Sequence, residues 1–510
     1  MPRRKLFLSG VASSYGVIGI NIFYSGLSVP LALHYLDKEE FAIWALVVQI
    51  TTYLNLIDFG LSGSLSRFLA DYKSDVDGGM YGSVLRTGNR VFLLQGILLA
   101  LLGAWIALFS APLLQIPFPL RPTFTLLLLF QSSLVGLALA SRTLSSPLWA
   151  HQRTDVSNLS AALNLLVGLV LMWVGFTTGC GVFSYLWGSI AGWLVGTIST
   201  VITCSKLHLY PSRGHWGSYN PALFRSMLSY GKDLFIMSLG YQLAFASQIL
   251  VVTRTLGLEA ATTWAVSTKI FTLAQQAISK IFDSSVGALA EFYVQGNRTK
   301  LSARFHGVLT LTSALAATLS SGLIMINSSF ISLWTGGLIS WPQANSVCLG
   351  VFLFFSSISR AHGAFVGVTK DVGGMKWCYF IEGFLFLSLS FLLAPHYGFI
   401  AILLSSLFAN LSCTFVYGLH RSARFLNLSF GTLVFWSLPA GLVSMITLSI
   451  YFAILWILPL STSFAIQALL GAGLLLSVFL PLLWFFALSH SVRKETLDFL
   501  RRSISSDRRT

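Results

Sequence analysis

Apolar stretches of about 20 residues follow one another along nearly the whole chain, separated by short loops rich in charge, glycine or proline. As a helix rising 1.5 Å per residue, each would cross the roughly 30 Å hydrocarbon core of a bilayer. In lipid every backbone N–H and C=O must be bonded within the protein, so only helices or a closed barrel can span. Barrel strands would show about 10 residues of strict alternation, and these runs are continuous. The pattern predicts fourteen helices, at about 9–34, 41–62, 86–110, 123–147, 157–178, 182–204, 230–253, 261–284, 305–327, 346–368, 376–394, 398–419, 432–458 and 462–489. The expected fold class is an all-α polytopic membrane protein with no long extramembrane domain. The basic start, Met1-Pro-Arg-Arg-Lys5, precedes an apolar run without a clear cleavage site, so it is expected to flank a retained first helix.

Charge placement orients the spans. With loops numbered alternately from a cytoplasmic N-terminus, 27 of the 32 lysines and arginines fall on inner segments. Only Lys38, Arg121 and Arg254 fall outside, and Lys269 and Lys280 remain within the membrane. This is the positive-inside pattern, and it predicts that both termini are cytoplasmic. It also accounts for the net charge of +15 without any nucleic-acid partner.

A gapless repeat runs at an offset of 220 residues: Glu39 matches Glu259, Trp44-Ala45 matches Trp264-Ala265, Thr52 matches Thr272, and Gln49 aligns with Lys269. Six spans separate the copies, so the chain is expected to hold two parallel six-helix lobes, a transporter architecture with the substrate site between them. The expected divisions are 1–210 for helices 1–6 and 211–425 for helices 7–12. An appended pair follows at 426–490, then a basic cytoplasmic tail at 491–510.

The eighth span is the most polar. On a 100° helical wheel Lys269, Gln276, Lys280 and Asp283 lie within roughly 60° of one another, and Thr262 and Thr272 extend the stripe. Charges at that depth face a water-filled cavity or a partner, because lipid exposure is costly. Lys280 has a blander alternative, snorkelling to the surface and pairing with Asp283. Helix 1 carries a neutral stripe, Ser14, Asn21, Ser25 and Ser28, suited to sugar hydroxyls or to helix contacts. Pro30, four residues after Gly26, is a candidate hinge. Glu382 is a lone acid in helix 11, a candidate proton or cation site or a partner for a lysine.

Several chemistries lack their residues. Five scattered cysteines with no CxxC spacing argue against a disulfide framework or metal site. No Walker-type loop is present, so no nucleotide cofactor is expected, and a proton or sodium gradient is the energy source left open. The histidines lie near predicted helix ends or in loops, which disfavours an intramembrane histidine catalyst.

Helix 2 ends in Asn55-Leu-Ile-Asp58-Phe-Gly60-Leu-Ser-Gly63-Ser-Leu-Ser-Arg67-Phe-Leu-Ala70-Asp71. Gly60 and Gly63 suit close helix packing, Arg67 and Asp71 suit a one-turn ion pair, and Asp58, an acid inside the bilayer, needs a partner. The run from Phe41-Ala-Ile-Trp44 through Ile57-Asp58-Phe-Gly60-Leu to Ser66-Arg67-Phe-Leu-Ala70 resembles the start of Wzx-type polysaccharide flippases, members of the multidrug/oligosaccharidyl-lipid/polysaccharide (MOP) exporter superfamily. The motif covers about 30 residues, while the spans, repeat and appended pair resemble the superfamily over the whole chain. The resemblance implies a V-shaped, MATE-like pair of lobes in a bacterial inner membrane. The implied substrate is an undecaprenyl-pyrophosphate-linked oligosaccharide, an O-antigen or exopolysaccharide repeat unit, turned from the inner to the outer leaflet. A polyanionic pyrophosphate suits Lys269 and Lys280, with Gln276, Asn21, Ser25 and Gln49 as neutral cavity candidates. Asp58, Asp283, Glu382, Pro30 and Arg67 are candidates for coupling or gating. Expected partners are the lipid-linked substrate, membrane lipid and polysaccharide polymerase or assembly proteins, with a monomeric chain. The competing classes are a cation-coupled multidrug exporter, which a cationic cavity disfavours, a lipid II flippase, and a membrane glycosyltransferase or polymerase, which the short outer loops disfavour.

Overall fold

The computed structural model describes residues 3–151, 153–369, 373–457, 463–488 and 493. Apart from Arg493, the expected basic tail lies outside them, as do Lys370 and Asp371 of the loop before helix 11. The chain packs as two compact units, Met1–Ala265 and Val266–Thr510.

In the first unit α1 spans Arg3–Tyr35, α2 Lys38–Leu54, α3 Leu61–Asp71, α4 Met80–Leu113, α5 Arg121–Ala140 and α6 Arg142–Ala150. There follow α7 (Thr154–Thr177), α8 (Phe183–Lys206), α9 (Pro221–Tyr241), α10 (Gln248–Leu256) and α11 (Leu258–Ser267), the last crossing into the second unit. The second unit holds α12 (Lys269–Val294), α13 (Arg298–Trp334), α14 (Gln343–Val368), α15 (Gly373–Tyr397), α16 (Phe399–Asn410), α17 (Val416–Leu426), α18 (Phe430–Ile457) and α19 (Phe464–Leu474). The division between units falls inside the eighth expected span, because α10 and α11 stay with the start of α2. Thr262 of α11 donates to the Lys38 carbonyl, and Glu259 lies 4.0 Å from the Lys38 ammonium.

Helix limits repeat at the offset read from the sequence. Shifted by 220 residues, α4 would run 300–333 and α7 374–397; α13 runs Arg298–Trp334 and α15 Gly373–Tyr397. Among the described residues, thirteen helices are long and apolar enough to cross a membrane. The eighth expected span, 261–284, is the one that falls short by that measure, because its polar stripe lowers its hydropathy and a turn at Thr268 divides it into α11 and α12.

Other spans are also interrupted. Helix 2 stops at Leu54 and passes through a 3₁₀ turn, Asn55–Asp58, before α3 begins. Helices 7 and 12 contain π turns at Gln242–Ala246 and Leu411–Phe415, a widened geometry common at functional sites. Pro30 lies within α1, which continues through it to Tyr35.

Close helix approach uses glycines other than Gly60 and Gly63. A Cβ at Gly96 would meet the Gly136 carbonyl at 2.3 Å, so α4 and α5 touch backbone to backbone; a Cβ at Gly63 would meet nothing within 4 Å. Gly60 is required by its left-handed φ of 70°.

Residues 207–220 form a strap across the start of α4. Tyr81 Oη donates to the Leu209 carbonyl at 3.2 Å, Arg86 Nη1 to the Gly217 carbonyl at 2.7 Å, and the Asn220 amide to Thr87 Oγ1 at 3.1 Å. The Ser212 amide donates to Asp77 at 2.7 Å, which holds that carboxyl below its usual range.

Candidate functional site

Helix α12 is amphipathic. Phe271, Ala274, Ile278, Phe282 and Leu289 are buried, and at 100° per residue they fall on the face opposite the polar stripe. Thr272, Gln276 and Asp283 are exposed, and Lys269 and Lys280 are partly buried along the same side. The lysines make no ion pair among the described residues, and the alternative Lys280–Asp283 pair is not formed there. Thr262 leaves the stripe, because the turn at Thr268 puts it on α11, where it is fully buried against Lys38. Lys269 is the first residue after that turn. The Ser267 carbonyl at the end of α11 accepts from Nδ2 of the buried Asn327 at 3.2 Å, which ties the interruption to α13.

The polar stripe of α1 meets its neighbour. Asn158 Nδ2 of α7 donates to Ser14 Oγ at 3.0 Å, and Ser25 and Ser28 are buried. Asn21 and Gln49 are partly buried, and Ser25 Oγ donates to Asn21 Oδ1 at 3.5 Å.

Asp58 has a partner that sequence reasoning did not name. Its Oδ1 accepts from the Ser62 amide at 3.1 Å and the Ser62 hydroxyl at 3.0 Å, capping the first turn of α3. Its Oδ2 lies 3.2 Å from Arg142 Nη1, and Arg142 also donates to Ser62 Oγ at 2.8 Å and to Asn55 Oδ1 at 3.5 Å. The motif is therefore a pinned interruption instead of a helix end. Phe59 and Gly60 both turn left-handed within it, and Gln95 Nε2 donates to the freed Ile57 carbonyl at 2.6 Å. Arg67 and Asp71 are both exposed on α3.

Glu382 of α15 is 2% exposed. Asn410 Nδ2 donates to its Oε1 at 3.1 Å, and Thr414, inside the π turn, donates to Oε2. Ser359 Oγ donates in turn to Thr414 at 3.0 Å. Among the described residues no lysine or arginine pairs with it. His362, six residues from the end of α14, is fully buried, with Nδ1 3.1 Å from the Ser422 hydroxyl and Nε2 without a partner among the described residues.

Two cavities lacked any sequence signal. In the second unit an apolar cavity of about 370 Å³ is walled by residues of α13, α14, α17 and α18, among them Ile324, Phe354, Leu419, Leu438 and Met445. In the first unit a polar cavity of about 210 Å³ is lined by Arg142, Ser145, Asn164, Trp193 and Thr197.

A family model described as polysaccharide biosynthesis protein matches residues 7–291, more than half of the 510. The chain belongs to this family. No curated protein matches it. Among solved structures it is similar to the lipid II flippase MurJ in an inward closed conformation, with a TM-score of 0.69 and 15% identity over 93% of this chain and 98% of that one. It is also similar to an inward-facing MATE multidrug resistance transporter of the MOP superfamily, with a TM-score of 0.64 and 13% identity over 85% of this chain and 96% of the other. A MOP superfamily transporter from Pyrococcus furiosus, described by the reverse polarity of its binding pocket, gives 0.56 and 14% over 83% and 97%. These likenesses are of fold. Together with the family model they bear out the resemblance drawn from the Phe41–Ala70 motif, and the family member is a multi-pass membrane protein.

Proposed function

We propose that the chain is a flippase that turns an undecaprenyl-pyrophosphate-linked oligosaccharide from the cytoplasmic to the outer leaflet by alternating access between two six-helix lobes, 1–210 and 211–425. The observation that carries this reading is the stripe on α12, with Lys269 and Lys280 on the side opposite its packed face. Two cations on that side of a membrane helix suit a polyanionic headgroup better than a cationic drug. The apolar cavity in the same unit suits part of a long isoprenoid tail, being within the size range of ligand pockets. Gln276, exposed on the same stripe, is assigned to the sugar. The deciding experiment is restoration of surface glycan in a flippase deletion strain; failure at normal membrane levels sinks this assignment.

The orientation has its own test. Reporter fusions after Asn220 are expected to report cytoplasm, and fusions near Ser340 the outer side. An outer signal at Asn220 would overturn the fourteen-span topology.

Glu382 is the proposed coupling residue. A buried carboxyl held by an amide and a hydroxyl, with no basic partner among the described residues, gains by taking up a proton or sodium ion. Glu382→Gln is expected to leave folding intact while transport in proteoliposomes no longer responds to an imposed pH or sodium gradient. An undiminished response to both gradients would remove Glu382 from the coupling scheme.

A further inference from the structure

A groove of about 580 Å³ opens beside the N-terminal part of α4, on the lysine- and arginine-rich side of the chain. Phe59, Leu61, Leu94, Phe224 and Leu228 form its apolar wall, drawn from the interrupted motif, α3, α4 and α9. Arg90 stands at its rim with its guanidinium 5.3 Å from the Tyr219 ring centroid, and Tyr219 is held there by the strap. Along α4 the exposed residues change from Arg86 and Arg90 to Leu93, Leu94, Ile97 and Leu98, as a helix does on passing from headgroups into acyl chains. Gln95 also lines the groove. It is 8% exposed, its Nε2 is committed to Ile57, and its Oε1 is buried without a partner among the described residues.

We propose that this groove is a binding site for an anionic glycerophospholipid, of the phosphatidylglycerol kind, drawn from the leaflet on the arginine-rich side. Arg90 takes the phosphate, and one acyl chain lies along Leu94 and Leu228. The cation selects the headgroup, and the apolar wall selects a lipid over free phosphate. Bound lipid would also cover Phe59, which the pinned interruption turns outward at a φ of 48°. The groove belongs to the first unit, and the proposal does not depend on what the chain transports.

The test uses the full chain in vesicles containing a diazirine-tailed phosphatidylglycerol or the matching phosphatidylcholine. The phosphatidylglycerol probe is expected to label peptides carrying Leu94 or Leu228 about fivefold more than the phosphatidylcholine probe, the scale of one arginine–lipid attraction. Arg90→Gln removes that preference, Arg90→Lys keeps it, and Arg213→Gln, which removes an exposed charge from the strap, leaves it unchanged. Leu228→Trp, which fills the groove, lowers labelling by both probes. Equal labelling by the two probes, or equal loss in Arg213→Gln and Arg90→Gln, would reduce the groove to bulk lipid contact. Stoichiometric displacement of the probe by undecaprenyl phosphate would overturn the choice of a phospholipid occupant.

Discussion

Lys269→Gln is expected to abolish most surface glycan while the protein still inserts at normal levels. The substitution copies Gln49, its partner in the repeat, so it keeps a long polar side chain and removes only the cation. A charge-assisted phosphate contact contributes about 1.5–3 kcal/mol, which is on the order of tenfold to a hundredfold in affinity. Lys269→Arg keeps the charge with a different geometry and should retain part of the export. Since Lys280 has no carboxylate partner among the described residues, Asp283→Ala should do less harm than Lys280→Gln. Surface glycan in a deletion strain, measured beside membrane protein level, decides the matter. Full glycan from Lys269→Gln would make the stripe structural and end the proposed headgroup role.

The second large effect concerns stability. Asp58→Ala removes a helix cap and the carboxylate facing Arg142 together. The loss is expected to be about 2–4 kcal/mol, because a half-buried guanidinium is left with its charge uncompensated. Asp58→Asn keeps an acceptor for the Ser62 amide and should cost less. Arg142→Ala combined with Asp58→Ala should cost at least about 1 kcal/mol less than the two changes added together. Thermal unfolding midpoints in detergent give the cycle. Strict additivity would show that the two residues act separately.

The spans were legible because bilayer thickness writes itself into the length of each apolar run. The stripe was legible because helical periodicity survives in sequence, and the buried face of α12 falls opposite it as periodicity demands. The interruptions were harder. Asn55, Asp58 and Gly60 are turn formers, yet Leu56, Ile57, Phe59 and Leu61 carry the apolar run straight through them. Thr268 bears no turn signal, and the carbonyl beside it is tied by Asn327, 60 residues away. The partners of Asp58 and Glu382 were hidden for the same reason. Arg142 falls among the inner-segment charges, and Asn410 and Thr414 sit in an apolar helix with no motif to mark them. The cavities depend on side chains from several helices and have no one-dimensional signature.

The two copies of the repeat bend at different places. The first is interrupted at Asn55–Gly60, some 17 residues into its helix, and the second at Thr268, 10 residues into its own. At 1.5 Å per residue these points differ in depth by about 10 Å. The two copies are therefore not interchangeable at this helix. Transplanting one copy's helix into the other's position would carry a joint to the wrong height along the helix, so each half tolerates only its own break.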